Sequence, residues 1–543
     1  MSKRSSAIAM LVVCVLPAAV GAAQARQKKL IEFGADEPLP SFVAQHIREM
    51  EKRPFDGVIM RVRNTGYIFE NKKWDEAEVA AEFQALEQIK WDKFTDNFIL
   101  MHAASTMDWF SDADWDNVLH NVGLCAKAAS LGRCKGLCFD PEAPVNNPWC
   151  YTTQAHAKEK TFEDYQAMAR RRGAQFMAKV QEIMPKPVVH TFFLLSPLRG
   201  RPAPHDNYAL LPAFLNGMLD AAVPGTVITD GNEGSYHYEN ERQYVDSCRA
   251  IHGAADGPLV AAENRAKYRA HVQCAQALYV DHLFNLGDRV DIGAFMSPWE
   301  RARWFEHNCY WALSTSDCYV WLYSEKMNWW LNKNIPPGLE EAVVSAREKL
   351  AGGQPLGFDV SRMIARARER ETKQLNLVRD FNVIGPFNNE RWLGHARVYP
   401  PEEKIDLSAT YEGLTGPARW QQVTLREGQG YLDFTRIMQP KDWTVAYALC
   451  YVHSKTRQQA QIRTGTNDSI KLWLNGRLLL DYQAAEGRWA IIDDDITPVT
   501  LPAGWSTILV KVAQTTGNWG MYLRISDLKG APLPGITVAA RRP

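Results

Sequence analysis

From about Lys28 to Ser324 the chain alternates short apolar runs with amphipathic stretches. "LIEFGAD" precedes "LPSFVAQHIREMEK", "FDGVIMRV" precedes "DEAEVAAEFQALEQI", and "NFILMHA" precedes "DADWDNVLHNVGLCAKAASLG". "KGLCFD" precedes "TFEDYQAMARRRGAQFMAKVQEIM", and "VVHTFFLLS", "TVITD", "DIGAFMS" and "CYVWLYSE" continue the series. The runs are strand-length and rich in Val, Ile and aromatics; the segments between them repeat apolar residues every three to four positions. Strands alternating with helices imply a parallel sheet, and eight such units predict a closed (β/α)8 barrel. An open sheet would carry a Gly-rich phosphate loop after its first strand, where this chain has "GADEPLP". "PPGLEEAVVSAREKLAG" predicts a closing helix with prolines at its start, and a basic amphipathic piece runs on to about Gln374.

The period then changes to two. "FNVIGPF", "TVAYALCYVHS", "QAQIRTGTND", "IKLWLNGRLLLDY", "STILVKVAQ" and "GMYLRISD" predict an all-β, jelly-roll-like sandwich, with an Asn-Gly hairpin turn inside "LWLNGR". The expected division is a leader over 1–25, a barrel over 26–352, a linker helix over 353–375 and a sandwich over 376–543.

The leader adds a location. Lys3 and Arg4 precede an apolar run from about Ala7 to Val20, and "GAAQA" offers cleavage after Ala23 or Ala25. The run is short for a membrane span, so a secreted or periplasmic protein is expected. Lys+Arg and Asp+Glu both number 62, which argues against a nucleic-acid partner bound by bulk charge. The 18 Trp favour a flat-faced ligand such as a sugar ring. Of the 10 Cys, Cys14 falls in the leader, and several of the rest sit in apolar runs as buried thiols. Cys134 and Cys138 have a metal-like spacing without His partners, so neither metal nor cofactor is called for. Oligomeric state is not legible.

Acids gather where the strand runs end: Asp36 and Glu37 after the first, Asp140 and Glu142 after the fourth, Asp230 and Glu233 after the sixth, Glu325 after the eighth. Barrel active sites form at that rim, although Asp36 and Asp230 equally suit helix starts. Parity puts Gly136, Cys138, Asp140 and Glu142 on one face, and Tyr319, Trp321, Tyr323 and Glu325 on one face. Glu142 and Glu325 are therefore expected in one cleft, among Trp149, Trp299, Trp329 and Trp330. Rim carboxylates among aromatics fit glycoside hydrolysis, where one carboxylic acid protonates the leaving oxygen and a second group meets the oxocarbenium-like centre. Asp140 beside Glu142 separates their pKa values, favouring Glu142 as the acid. The opposing reading is a carboxylate pair held by Arg61 or Arg63. His102, Asp230, Tyr236 and Tyr323 are candidate substrate contacts, with His190, His237 and Tyr238 as weaker nominees.

"GLCFDPEAP" resembles the fourth-strand signature of family 18 chitinases, DGxDxDxExP, through Asp140, Glu142 and Pro144. The resemblance implies Glu142 as proton donor and Asp140 as the residue orienting the substrate's own 2-acetamido group. The signature's two earlier aspartates fall on Lys135 and Cys138. More broadly the chain resembles TIM-barrel glycoside hydrolases with an appended sandwich, whose common nucleophile follows strand 7; "DIGAFMSPWE" offers only Glu300. A protein-carboxylate pair would be Glu142 with Glu325 or Glu233. "GTNDSIKLWLNG" resembles galactose-binding-like or PA14-like modules, with Asn467 and Asp468 suited to a ligand, calcium or a plain turn, and Trp392, Trp473 and Trp519 to stacking or packing. The alternatives are a non-catalytic carbohydrate-binding barrel, or another barrel chemistry such as a lyase or metal-dependent hydrolase.

Overall fold

The computed structural model describes residues 28–542, apart from 64–65, 144–145, 199, 288–289 and 485–486. The expected leader and Pro144 lie outside the described residues. Eight parallel strands form a ring: β1 (Lys29–Gly34), β2 (Gly57–Met60), β3 (Phe98–Ser105), β4 (Gly136–Asp140), β5 (Val188–Thr191), β6 (Val227–Asp230), β7 (Val272–Cys274 continued by Gln276–Tyr279) and β8 (Tyr319–Ser324). Consecutive strands pair in order, and β8 returns to β1 with Lys29 opposite Tyr319. The ring closes through the two halves of β7. The first pairs with β6 and the second with β8, and the Ala275 amide at the bend donates to the Asp230 carbonyl at 2.9 Å. Each strand is followed by a helix, as a parallel sheet requires.

The seventh strand is not where the sequence pattern put it. "DIGAFMS" contains a short 3-10 turn, Ile292–Phe295, and β7 is "VQCAQALY". Gln273, Gln276 and the alanines dilute the apolar signal of β7, and the bend at Ala275 splits it into pieces too short to read.

Large inward side chains fill the ring. Phe33 meets Phe192 across it at 4.5 Å between ring centroids, and Phe192 stacks on Trp321 at 4.3 Å. His190 is fully buried against Phe98 and bonded to Thr229 at 2.8 Å. Burial pushes it down to about 3, so it is a neutral core residue. Gly136 opens β4 because a Cβ there would lie 1.8 Å from the Val188 carbonyl oxygen.

Helix Ser361–Leu375 leads to two antiparallel sheets. One is built on Asp380–Asn388, Thr444–Ser454, Gly504–Gln514, Ser469–Leu474 and Arg477–Tyr482, the other on Gly520–Ser526, Gln458–Thr466 and Asp495–Leu501. The hairpin turn is Asn475-Gly476, with φ of 51° and 80° as a type I′ turn demands. The sandwich touches loops that follow β5 and β6. Trp443 packs edge-on against His205 at 4.4 Å, Trp489 lies 5.5 Å from His237, and Arg368 of the connecting helix pairs with Glu239. No helix among the described residues is long and apolar enough to cross a membrane.

Candidate active site

The register fixes which rim residues face inward. Phe98, Leu100 and His102 of β3 lie opposite Gly136, Cys138 and Asp140 of β4, so His102 and Asp140 emerge side by side at the mouth. His102 Nδ1 is 3.0 Å from Asp140 Oδ2, and its Nε2 is 3.6 Å from Glu37 Oε1. Arg61, at the end of β2, continues the row, with Nη1 3.6 Å from Glu37 Oε2. Burial alone would lower the His102 pKa, but the hydrogen bonds and charges of Asp140 and Glu37 outweigh it and raise it to about 9. The row is therefore an imidazolium clasped between two carboxylates. The second oxygen of Asp140 accepts the Glu142 backbone amide at 2.8 Å, which fixes where Glu142 leaves the strand.

Glu233 enters from the opposite loop. Asp230 is fully buried, and its carboxylate accepts the amides of Leu195 and Ser196 at 2.8 Å each and the Ser196 hydroxyl at 2.6 Å. That clamp ties the ends of β5 and β6 together. Asn232 turns the chain in the left-handed region, φ 46°, and the Glu233 amide donates to the Phe192 carbonyl at 3.1 Å. The Glu233 carboxyl is pushed up to about 8, first by burial and then by the charges of Glu142 and Asp140. Beneath these acids lie half-buried tyrosines. Tyr323 stacks on Tyr279 at 5.7 Å and on Tyr236 at 6.1 Å, and Tyr236 reaches Trp321. The Tyr279 hydroxyl donates to exposed Glu325 at 3.4 Å. The rim thus combines a protonated carboxyl, further carboxylates and stacked ring faces.

No family model matches the chain. No curated protein matches it either. Solved structures resemble it distantly. A glucosidase from Croceicoccus marinus is 8% identical, with 91% of this chain and 97% of that one covered at a TM-score of 0.34. A GH5-4 broad-specificity endoglucanase from Clostridum cellulovorans is 12% identical, covering 59% and 94% at 0.36. A GH18 chitinase from Pseudoalteromonas aurantia is 11% identical, covering 59% and 100% at 0.31.

Several sequence candidates sit elsewhere. Trp149 is fully buried, its indole N–H bonded to the Pro141 carbonyl at 2.7 Å and its ring packed on Phe69 and Phe214. Trp329 is buried edge-on against Phe55. Neither presents a face to a ligand, since an apolar ring is worth most in the core. Trp299 stands exposed on the first turn of helix Pro298–Thr315, 6.0 Å from the Arg303 guanidinium. Asp36 turns behind β1 beside buried Glu32, the two carboxylates flanking Gly34, and takes a hydrogen bond from Asn328 at 2.8 Å. Burial pushes it up to about 6. Asp230 serves the loop clamp rather than the cleft. Glu300 caps its own helix and pairs with Arg370 at 2.9 Å. Arg63 pairs with Glu78 at 2.7 Å, and it is Glu37 that Arg61 faces.

Sequence reasoning missed Tyr279, because it missed β7, and placed Glu37 at the rim after the first strand without nominating it as a site residue. Just past β7, in the short helix Val280–Phe284, Asp281 is buried and accepts the Ser324 hydroxyl at 2.5 Å and the Glu325 and Lys326 amides. In the sandwich, Asp468 (φ 53°) accepts the Thr515 amide and hydroxyl at 2.7 Å each and the Arg488 amide at 3.3 Å, a turn-holding role. Trp473 and Trp519 are buried, while Trp392 packs edge-on against Trp443 at 6.1 Å.

Proposed function

We propose that this chain is a glycoside hydrolase whose cleft is the rim between β4, β6 and β8. The observation that carries the reading is Glu233, a carboxyl held protonated to about 8 beside Glu142 and Asp140 and over a tyrosine stack. A glycosidic oxygen is a poor leaving group until protonated, and an acid with a pKa near the working pH delivers that proton best. In this reading Glu233 is the general acid and Glu142 the second carboxylate, which meets the positive charge developing at the anomeric carbon. The proton that the fourth-strand likeness assigns to Glu142 moves to Glu233, because burial favours the neutral form there while Glu142 is exposed. Asp140 and His102 are positioning residues: the ion pair holds Asp140, and Asp140 holds the Glu142 backbone. Tyr236, Tyr279 and Tyr323 offer ring faces to the apolar face of a sugar. Trp489 of the sandwich, 57% exposed and close to His237, extends that wall.

The reading includes export, on the strength of the leader pattern. A polysaccharide and oligosaccharide panel with product analysis tests the activity. Turnover by the wild-type chain that disappears in Glu233→Gln and in Glu142→Gln supports it. Binding without turnover by the wild type replaces it with a carbohydrate-binding barrel.

A further inference from the structure

A second reactive cluster lies away from the rim, between the helix that follows β6 and the strand that follows it. All nine described cysteines carry free thiols. Cys248 is half-buried on helix Glu241–Gly253, and Cys274 is fully buried on β7. In register Cys274 pairs with Asp230, on the face turned outward to the helices. The two thiols act on one another across this helix–strand contact. Gln276 Nε2 bridges it, donating to the hydroxyl of Ser247, next to Cys248, at 3.3 Å and to the Cys274 Sγ at 3.7 Å, while the Cys274 thiol donates to the Ala275 carbonyl at 3.4 Å. One turn along the helix from Cys248, His252 places its Nδ1 3.9 Å from the Cys248 Sγ. The other ring nitrogen, Nε2, is 2.7 Å from Asp317 Oδ2, and that same oxygen accepts the Cys274 amide at 2.7 Å. The Asp317 amide in turn donates to the Cys274 carbonyl at 2.9 Å. Asp317 therefore fixes both the imidazole that faces one thiol and the backbone that carries the other.

We propose that Cys248 and Cys274 form a thiol–disulfide site, with Cys248 as the attacking sulfur, Cys274 as the resolving sulfur, and a low-molecular-weight disulfide as the oxidant. Cys248 is the accessible member, and the attacking sulfur must meet the oxidant. The Cys248 thiolate attacks one sulfur of the oxidant R–S–S–R, forming Cys248–S–S–R and releasing R–S⁻. The Cys274 sulfur then attacks the Cys248 sulfur. The Cys248–Cys274 bond forms, the second R–S leaves, and it carries off the Cys274 proton as R–SH. Two protein thiols are oxidised and one oxidant disulfide is reduced to two thiols. The electrostatics agree with this order. The neighbouring Cys274 thiol, outweighing burial, and the nearby His252 and Lys28 lower Cys248 to about 7 against the opposing charge of Asp317, whereas Cys274 is raised well above the usual thiol range.

The test uses the full chain and oxidised glutathione at neutral pH, followed by alkylation and peptide mapping. The expected product is a Cys248–Cys274 cross-link that dithiothreitol reverses. Cys274→Ser should stop at glutathione on Cys248, and Cys248→Ser should yield no cross-link. A wild-type chain that halts at the glutathione adduct, or that joins other cysteines instead, overturns the proposal. A second measurement needs no variant: the rate of Cys248 alkylation by iodoacetamide against pH. A midpoint below the ordinary thiol value of about 8.5 agrees with Cys248 as the attacking sulfur, and a midpoint at or above it overturns that assignment.

Discussion

Two histidine–aspartate pairs sit on one barrel and behave differently. At the rim His102 lies 3.0 Å from Asp140; near the start of β8 His252 lies 2.7 Å from Asp317. The shorter contact produces the smaller shift. His102 rises to about 9, while His252, lowered by burial and raised by Asp317, climbs more modestly. Exposure separates them. The rim side chains are 14% and 9% exposed, against 47% and 32% for the other pair. His102 also has a second acid, Glu37, where His252 has a thiol. Water screens the closer pair, and exclusion of water with a doubled carboxylate strengthens the longer one. A contact distance alone does not rank an ion pair.

The largest expected difference between the two regions is in turnover. Glu233→Gln removes the rim proton donor and should lower kcat by about 10²–10⁴, the usual worth of a positioned acid. The loss should shrink on aryl glycosides, whose leaving groups need little protonation. Cys248→Ser at the other region should leave kcat unchanged. Equal loss in both variants would mean that the rim is not the reaction centre.

Next comes stability. Asp140→Asn leaves a buried imidazole without its main charge partner. Raising His102 from 6.5 to about 9 corresponds to about 3 kcal/mol of stability. Because the folded pKa lies above the unfolded one, this stability is complete below about pH 6.5 and is lost as pH rises through about 9. Glu37 keeps its share of that shift, so denaturant melts at pH 6 should show a loss of about 2 kcal/mol in the variant, and its His102 resonance should titrate lower. Glu233 adds a term of the same sign. Its carboxyl is raised from 4.5 to about 8, so as pH rises between those values the unfolded chain ionises and the folded one does not. Wild-type stability should fall as pH rises from about 4.5 to about 9, and Glu233→Gln should flatten the part of that fall between about pH 4.5 and 8. The alkaline limb of kcat/KM should lie near pH 8 in the wild type.

The strand–helix alternation and the later period of two revealed the barrel and the sandwich because both are written in burial, which composition reports directly. Asp140 was legible as an inward rim residue because parity carries along an unbroken strand. β7 was not, since a bent strand of Gln, Cys and Ala buries through its neighbours rather than through its own hydrophobicity. The misplacement of Trp149 and Trp329 has a related cause: an aromatic in a loop reads the same whether the loop folds inward or outward. Asp230 illustrates the converse, an acid at the right rim whose lone pairs are spent on three backbone amides and a hydroxyl. Which acid keeps a proton depends on burial and charge in three dimensions, and no one-dimensional pattern separates Glu233 from Glu142.

A smaller effect belongs to the sandwich. Arg488 anchors the loop that presents Trp489, pairing with Asp494 at 3.1 Å and Asp495 at 2.6 Å. Trp489→Ala should raise KM several-fold on long oligosaccharides, in line with the roughly 0.5–1.5 kcal/mol of an aromatic contact. On substrates too short to reach from Glu233 to the sandwich, kinetics should not change. An equal change on short substrates would place the ring in the fold rather than in the cleft.

The smallest expected effect returns to the second histidine. Asp317→Asn keeps an oxygen to accept the Cys274 amide and removes only the charge beside His252. Since that pair is half exposed, its loss should change stability by less than about 1 kcal/mol, well below the cost of Asp140→Asn. The variant should still register in chemistry. With its carboxylate gone, His252 holds its proton less firmly and titrates lower, which NMR of the imidazole measures. A stability loss as large as that of Asp140→Asn would mean that the 2.7 Å contact outweighs its exposure, and the ordering of the two pairs by access to water would have to be reversed.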